Sequence, residues 1–239
     1  MLGSLLASLR ALLDPVAGVG AAVEGRRWGA ALALLVVCAT ASGVSLALRF
    51  DAARQVVPRM AESGELQKVS ERELTENVEQ ARRVAIVAAV ARSVFGLPLL
   101  VLAAAVALRV AVWLVGQRAS FGACFSTAAV GLLPLAVFHL IVTISALRQD
   151  VLGSLDPGDL VTSSLAQLQG WQGLWARVGR GADFFHLWVV GLLGLGLAQA
   201  TQRSRRFGLG LSFGLYAAYV AVVFVALPGL PSPASGGHS

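Results

Sequence analysis

Five long apolar stretches constrain this chain more than any other feature of its sequence. A helix needs about 20 mainly apolar residues to cross the hydrocarbon core of a bilayer, which is about 30 Å thick. The stretches that meet or approach this length are Trp28–Leu48, Val84–Val115, Phe121–Leu147, Phe184–Ala200 and Phe207–Leu227. Arg92 and Arg109 interrupt the second stretch, so we expect its embedded part near Val94–Trp113. The sequence predicts an all-α polytopic membrane protein, a bundle of five transmembrane helices with interfacial amphipathic segments.

The composition excludes an ordinary soluble enzyme. Only 13% of the residues are charged and 56% are hydrophobic, whereas soluble domains carry about 25% charged residues. A net charge of +6 would suggest a nucleic-acid partner in a soluble protein. In a chain this apolar we expect the basic residues to be sorted across a bilayer instead. The predicted partner is therefore the lipid bilayer and not nucleic acid.

The excess positive charge falls on one side of the predicted spans. The N-terminal segment, the end of span two with Arg109, and the links after spans two and four carry eight arginines against Asp14 and Glu24, while the other segments balance their charges. Short links rich in Arg, such as Gln202–Arg206, stay in the cytoplasm by the positive-inside rule. Lys68 is the single lysine, which is typical of a GC-rich bacterial genome. We expect a multi-pass protein of the bacterial cytoplasmic (inner) membrane with its N-terminus in the cytoplasm and its C-terminus outside.

The chain divides into three regions. Residues 1–27 are expected to form a cytoplasmic N-terminal segment with an amphipathic helix, which either lies in the membrane interface or packs against the bundle. Residues 28–227 form the five-helix membrane domain. Residues 228–239, rich in Pro, Gly and Ser, are expected to be a disordered tail.

A capping box at Ser70–Glu73 predicts the start of a long helix that enters the bilayer near Arg83. Asp156-Pro157 predicts a second helix start, with an apolar face continuing to Val178.

Small residues and prolines are the candidates for packing the bundle. Helix association in lipid depends on small residues that allow close backbone approach, and prolines bend helices because each removes a hydrogen bond. We expect intramolecular packing at rows of small residues spaced by four in each long span, and bends in spans two and three. The residues singled out are Gly43, Pro98, Gly131, Pro134, Gly191, Gly194, Gly210 and Gly214.

Ionisable residues in the spans are the candidates for chemistry, because they are costly in lipid. Asp183 and His186 lie three residues apart at the start of span four, on one helical face. His139 lies in span three and approaches this pair if the span runs outward. A metal or proton site formed by His139, Asp183 and His186 is one interpretation. The other is that the three are boundary or interhelical polar residues without a ligand.

The sequence predicts no enzyme. It has no nucleophile motif, no His-Glu-x-x-His zinc motif and no phosphate-binding loop. We expect no cofactor. The function classes that remain are a scaffold or accessory subunit of a membrane complex, and a small-solute or ion transporter or channel.

Four motifs in order along the chain resemble the bacterial branch of the Yip domain family of five-span membrane proteins. They are Asp14-Pro15 before span one, Leu74–Gln80 leading into a long second helix, Gly116–Phe121 before a span with Leu133-Pro134, and Asp183–Trp188 opening the fourth span. The resemblance implies that residues 28–227 form a Yip-like domain. It also implies a partner, because some bacterial members accompany ABC-type exporters as accessory subunits. Eukaryotic members are associated with Rab GTPases, but their Asp-Leu-Tyr-Gly-Pro-like motif is absent here.

Overall fold

The chain is helical throughout the part that the structure describes. A computed structural model describes residues 2–25, 28–164, 178–179 and 183–226, and no strand is assigned among them. The helices are α1 (Leu2–Leu13), α2 (Pro15–Glu24), α3 (Gly29–Arg49), α4 (Ala53–Glu62), α5 (Glu71–Ala91), α6 (Leu97–Leu114), α7 (Phe121–Gly131), α8 (Leu133–Leu147), α9 (Phe184–Thr201) and α10 (Arg205–Val220). Short π-helical turns, Arg92–Gly96 and Ala221–Ala226, follow α5 and α10.

Five helical units are long and apolar enough to cross a membrane, which confirms the predicted fold class. They are Gly29–Arg49, Glu71–Leu114, Phe121–Leu147, Phe184–Thr201 and Arg205–Val223. The second unit has 44 residues and is about 66 Å long, twice the thickness of the hydrocarbon core. It therefore projects beyond the bilayer, as the polar sequence before Arg83 predicts.

The first half of span three occupies the centre of the bundle. Cys124 and every residue from Ser126 to Gly131 in α7 are buried. Helices α2, α3, α6 and α9 all contact α7. Because neighbours surround this helix, its side chains fill the middle of the bundle.

The two prolines lie where the expected helices are interrupted. Pro98 follows the π-helical turn Arg92–Gly96, which joins α5 to α6. Pro134 follows Leu132, whose ψ of −3° ends α7 before α8 begins. A proline removes the backbone hydrogen bond to the preceding turn, so both interruptions follow from the sequence.

The N-terminal helices form a hairpin that packs on the bundle. The Asp14 carboxylate caps α2 by accepting from the amide of Ala17 at 3.2 Å. A Cβ atom at Gly18 would lie 2.3 Å from the Ala11 nitrogen, so the two helices meet at this glycine. Helix α2 contacts α7 and α9, while Leu13 of α1 is 88% exposed. The segment thus packs on the bundle and also presents leucines outward.

A close contact between α3 and α5 determines how the second span is aligned along the first. A Cβ atom at Gly43 would lie 2.9 Å from Ala89 Cβ. Consecutive spans run in opposite directions, so Arg49 and Arg83, each six residues from this contact, lie about 9 Å along their helices on the same side. The two arginines therefore mark one level, where span one ends. The expected embedded part of the second span, Val94–Trp113, lies further along the same helical unit, and its position in a bilayer stays a prediction.

The loop after α8 makes backbone contacts with the end of span one and with the start of span four. Leu152 pairs with Phe50, and Asp51 donates its backbone N–H to Leu152 at 3.1 Å. Asp156 caps only a short 3₁₀ turn, Pro157–Asp159. The helix expected to continue from there is not formed up to Ser164, because the Ser163–Ser164 backbone pairs with the start of α9. Most of its remainder, like the tail 228–239, lies outside the described residues.

The polar link between spans one and two contains one helix that the sequence analysis did not anticipate. Helix α4 begins four residues after α3 ends and packs against α5. The Ser70 capping box at the start of α5 is formed as predicted, with the Ser70 amide donating to Glu73 at 2.8 Å. The two helices together form a polar layer next to the level of Arg49 and Arg83.

Candidate functional site

Asp183 forms the N-cap of the fourth span. Its Oδ1 atom accepts hydrogen bonds from the amides of Phe185 at 2.9 Å and His186 at 3.1 Å. The residue is 9% exposed. A carboxylate in this position satisfies helix amides that have no partner within the helix, and it interacts favourably with the positive end of the helix dipole.

A serine from the preceding loop binds the same carboxylate. Ser163 Oγ donates to Asp183 Oδ2, and the Phe184 amide donates to the Ser163 carbonyl at 3.0 Å. Ser164 and Asp183 also form a β-bridge. The loop is therefore fixed to the start of α9 by both side-chain and backbone contacts. Sequence spacing could not reveal this contact, because Ser163 lies 20 residues before Asp183.

His186 lies one helical turn along α9 from Asp183. With Ser163 and Asp183 it forms what we call the junction between the loop and span four. Its Nδ1 atom lies 3.0 Å from Asp183 Oδ1, and its ring stacks on Tyr216 of α10 with centroids 6.5 Å apart. The imidazole is 50% exposed. Because Nδ1 contacts the carboxylate and one ring face stacks on Tyr216, Nε2 is the ring nitrogen that remains for an external group.

Opposing effects act on the pKa of Asp183. Burial raises the pKa, whereas hydrogen bonds from His186 and Ser163 lower it, and the result lies at about 2. The carboxylate is therefore ionised at neutral pH. With donors on both oxygens, it acts as a clamp between the loop and α9 and not as a proton donor.

His139 is not a direct partner of the other two residues. Its Nδ1 atom is buried without a hydrogen-bond partner among the described residues. Its nearest link to the junction passes through Phe138, whose ring packs against Phe185 with centroids 5.2 Å apart. Within the described ranges no group of three His, Cys, Asp or Glu residues could hold a metal ion. The structure thus brings Asp183 and His186 together and leaves a role for His139 as a prediction.

Comparison with known families gives a match over nearly the whole chain. The model of the Yip1 domain matches residues 9–227, which span all five membrane helices and the junction. The chain belongs to the Yip1 domain family. No curated protein and no solved structure matches the chain.

The match places most of the N-terminal hairpin inside the Yip1 domain. It begins at residue 9, within α1, and includes α2. Gln199 of α9 donates a side-chain hydrogen bond to Glu24 at the end of α2. The hairpin is therefore an integral part of the packed domain.

Several expected packing glycines of the Yip1 domain lie at close helix contacts. Gly43 meets Ala89 of α5. A Cβ atom at Gly131 would lie 2.4 Å from the Leu193 side chain, and one at Gly194 would lie 2.8 Å from the Leu209 Cα atom. These positions need glycine because a neighbouring residue already occupies the space of a side chain.

Other glycines of the expected rows do not make such contacts. Gly191, Gly210 and Gly214 have no neighbouring atom within 4 Å of a Cβ position among the described residues. Helix α10 packs on α9 through Gly208 instead, where a Cβ atom would lie 2.1 Å from the Gly194 carbonyl oxygen, and through Ser212. The contact surface of α10 thus differs from the Gly210–Gly214 row because it lies on the opposite side of the helix.

Proposed function

We propose that this Yip1-domain protein is a non-catalytic scaffold or accessory subunit of a membrane complex, such as an ABC-type exporter. In this proposal it resides in the bacterial inner membrane with its N-terminus in the cytoplasm and its C-terminus outside. Its work is to bind other membrane subunits through helix faces that its own bundle leaves uncovered. The observation that carries the proposal is the exposure of α10.

Helix α10 is the most exposed of the five spans. About 11% of its most apolar window is buried, compared with 44% for α9. Its main contact is with α9, and Ser212 Oγ donates to the Val190 carbonyl at 2.8 Å in that contact. The opposite side carries Gly210 and Gly214, which have open space around them among the described residues. Since small residues promote helix association in lipid, this side suits a helix of a partner subunit.

The test is co-purification of the full chain in mild detergent, followed by mass spectrometry of bound proteins. We expect membrane subunits of one complex to be recovered with the wild-type chain. Gly214→Leu should reduce their recovery because it fills the open side of α10. Gly214→Ala keeps the residue small and is the matched control. Equal recovery with both variants, or recovery of the chain alone, would contradict the proposal.

A transporter or channel is the second candidate. Its support is a pair of buried hydroxyls in α7, Ser126 Oγ and Thr127 Oγ1, that have no hydrogen-bond partner among the described residues. Buried polar groups without partners are unusual and call for an explanation. If they line a path, Ser126→Ala should change solute or ion flux into liposomes containing the purified chain. Flux that equals the lipid background for the wild-type chain would exclude this candidate.

A further inference from the structure

An amphipathic groove lies between α4, α5 and the loop after α8. It is an open groove with a volume of about 570 Å³. The apolar side of the groove is formed by Val56, Met60, Ala81, Val84, Ala85 and Leu155, and its polar side by Gln55, Arg59, Glu65, Asn77 and Gln80.

The groove lies level with the predicted membrane boundary. Arg83 marks the level at which span one ends, as the contact of Gly43 with Ala89 establishes. Gln80 lies one turn above this arginine and Val84 directly below it, and both line the groove. With entry into the bilayer near Arg83, we expect the polar part of the groove to face the headgroup region and its apolar part to face the start of the hydrocarbon core.

Below the groove, the same side of α5 presents apolar residues outward. Val84 is 60% exposed, and Val87 is 67% exposed one turn further on. Ala88 and Ala91 are exposed as well. A ligand with its polar head in the groove can thus place an apolar chain along this surface. A lipid has such a chain, and a soluble metabolite does not.

The two charges in the groove are opposite and unpaired. Neither the Arg59 guanidinium nor the Glu65 carboxylate has an ion-pair partner within 4.0 Å among the described residues, and they do not pair with each other. Guanidinium groups bind phosphate, and carboxylates accept hydrogen bonds from ammonium groups. The lining contains no aromatic residue, so it lacks the aromatic surfaces on which quaternary ammonium groups are bound.

We propose that this groove binds one phospholipid with a phosphate and a primary ammonium in its headgroup, of the phosphatidylethanolamine type. Arg59 binds the phosphate and Glu65 the ammonium, while the acyl chains lie along Val84 and Val87. The amides of Asn77 and Gln80 supply further hydrogen bonds to the headgroup. The site is independent of the α10 side to which the proposed function assigns a protein partner.

Native mass spectrometry of the full chain in detergent tests this proposal. The chain is titrated with phosphatidylethanolamine, phosphatidylcholine or phosphatidylglycerol of matched acyl chains. We expect a saturable 1:1 complex with phosphatidylethanolamine and about tenfold weaker binding of the other two lipids, because each lacks one charge-assisted hydrogen bond. Equal binding of the three lipids would overturn the proposed headgroup recognition.

Variants and soluble competitors separate this site from general lipid binding. Arg59→Gln and Glu65→Gln should each weaken the phosphatidylethanolamine complex about tenfold. Arg72→Gln is the control, because Arg72 is 89% exposed and pairs with Glu76 outside the groove. Inorganic phosphate or glycerophosphoethanolamine at millimolar concentration should not displace the lipid. Displacement by phosphate, or equal binding by all three variants, would refute a lipid site here.

Discussion

At the scale of single residues, Asp183 ties a loop to a spanning helix, and its charge makes that tie depend on pH. The folded chain lowers the pKa of Asp183 to about 2 from an ordinary value of 3.8. Folding thus favours the ionised form, so its stabilisation is complete above pH 3.8 and is lost as the pH falls through about 2. We expect lower protection factors, which compare each amide with an unstructured amide at the same pH, at the start of α9 over this range.

Hydrogen exchange of residues 184–188 in detergent measures this effect. Asp183→Asn keeps an oxygen acceptor but cannot ionise, so its protection factors should stay constant between about pH 5 and pH 2. Asp150→Asn, on the exposed loop, should retain the wild-type response. Asp183→Ala also removes the cap and should lower the free energy of unfolding by about 1–2 kcal/mol. A pH response in Asp183→Asn equal to that of the wild type would show that another group is responsible.

Sequence reasoning identified some partners of this junction and missed others for a physical reason. Asp183 and His186 lie three residues apart, and helical geometry alone places such residues together. Ser163 joins them through a loop conformation that no local pattern specifies. His139 lies in span three as expected, but the packing of α8 on α9 does not bring it into hydrogen-bond contact with the pair. Local periodicity does not determine that packing.

At the scale of helices, the lipid environment limits what a sequence pattern can predict. Hydrophobicity separates core from surface in water, but lipid tails are as apolar as a leucine in a helix contact. The spans could therefore be predicted from composition, while the side of each span that packs could not. In α10 the four-residue spacing of Gly210 and Gly214 predicted a packing face, yet Gly208 on the other side of the helix makes the close contact with α9.

This difference gives a direct test within α10. A Cβ atom at Gly208 would lie 2.1 Å from the Gly194 carbonyl oxygen and 2.7 Å from the Ala198 nitrogen. Since these are backbone atoms, Gly208→Ala should force α9 and α10 apart and destabilise the chain by about 1–3 kcal/mol. Gly210→Ala has open space and should leave stability unchanged or raise it by up to about 1 kcal/mol, through the higher helix propensity of alanine.

Thermal unfolding of both variants in the same detergent compares these effects. A cysteine pair placed across α9 and α10 provides a second readout, since its cross-linking should fall in Gly208→Ala only. If Gly210→Ala were the more destabilised of the two, the assignment of the contact side of α10 would be wrong.

At the scale of the whole molecule, an odd number of candidate spans predicts that the two ends of the chain lie on opposite sides of the membrane. The capping box at Ser70 lies on the side where α3 and α8 end, and Ser204 caps α10 on the other side. The excess of basic over acidic residues falls on the Ser204 side, with Arg203, Arg205 and Arg206 next to it. By the positive-inside rule, we expect Ser204 in the cytoplasm and Ser70 outside.

Cysteine labelling in intact cells tests this orientation. The native thiols, Cys38 and Cys124, both lie within spans, so a Cys38→Ser, Cys124→Ser chain serves as the background. A membrane-impermeant maleimide should then label Ser70→Cys in intact cells and Ser204→Cys only after permeabilisation. The reverse pattern would invert the orientation, and it would also move the Arg59–Glu65 groove to the cytoplasmic leaflet. Labelling of both positions from one side would contradict the five-span arrangement itself, because three spans lie between Ser70 and Ser204 along the chain.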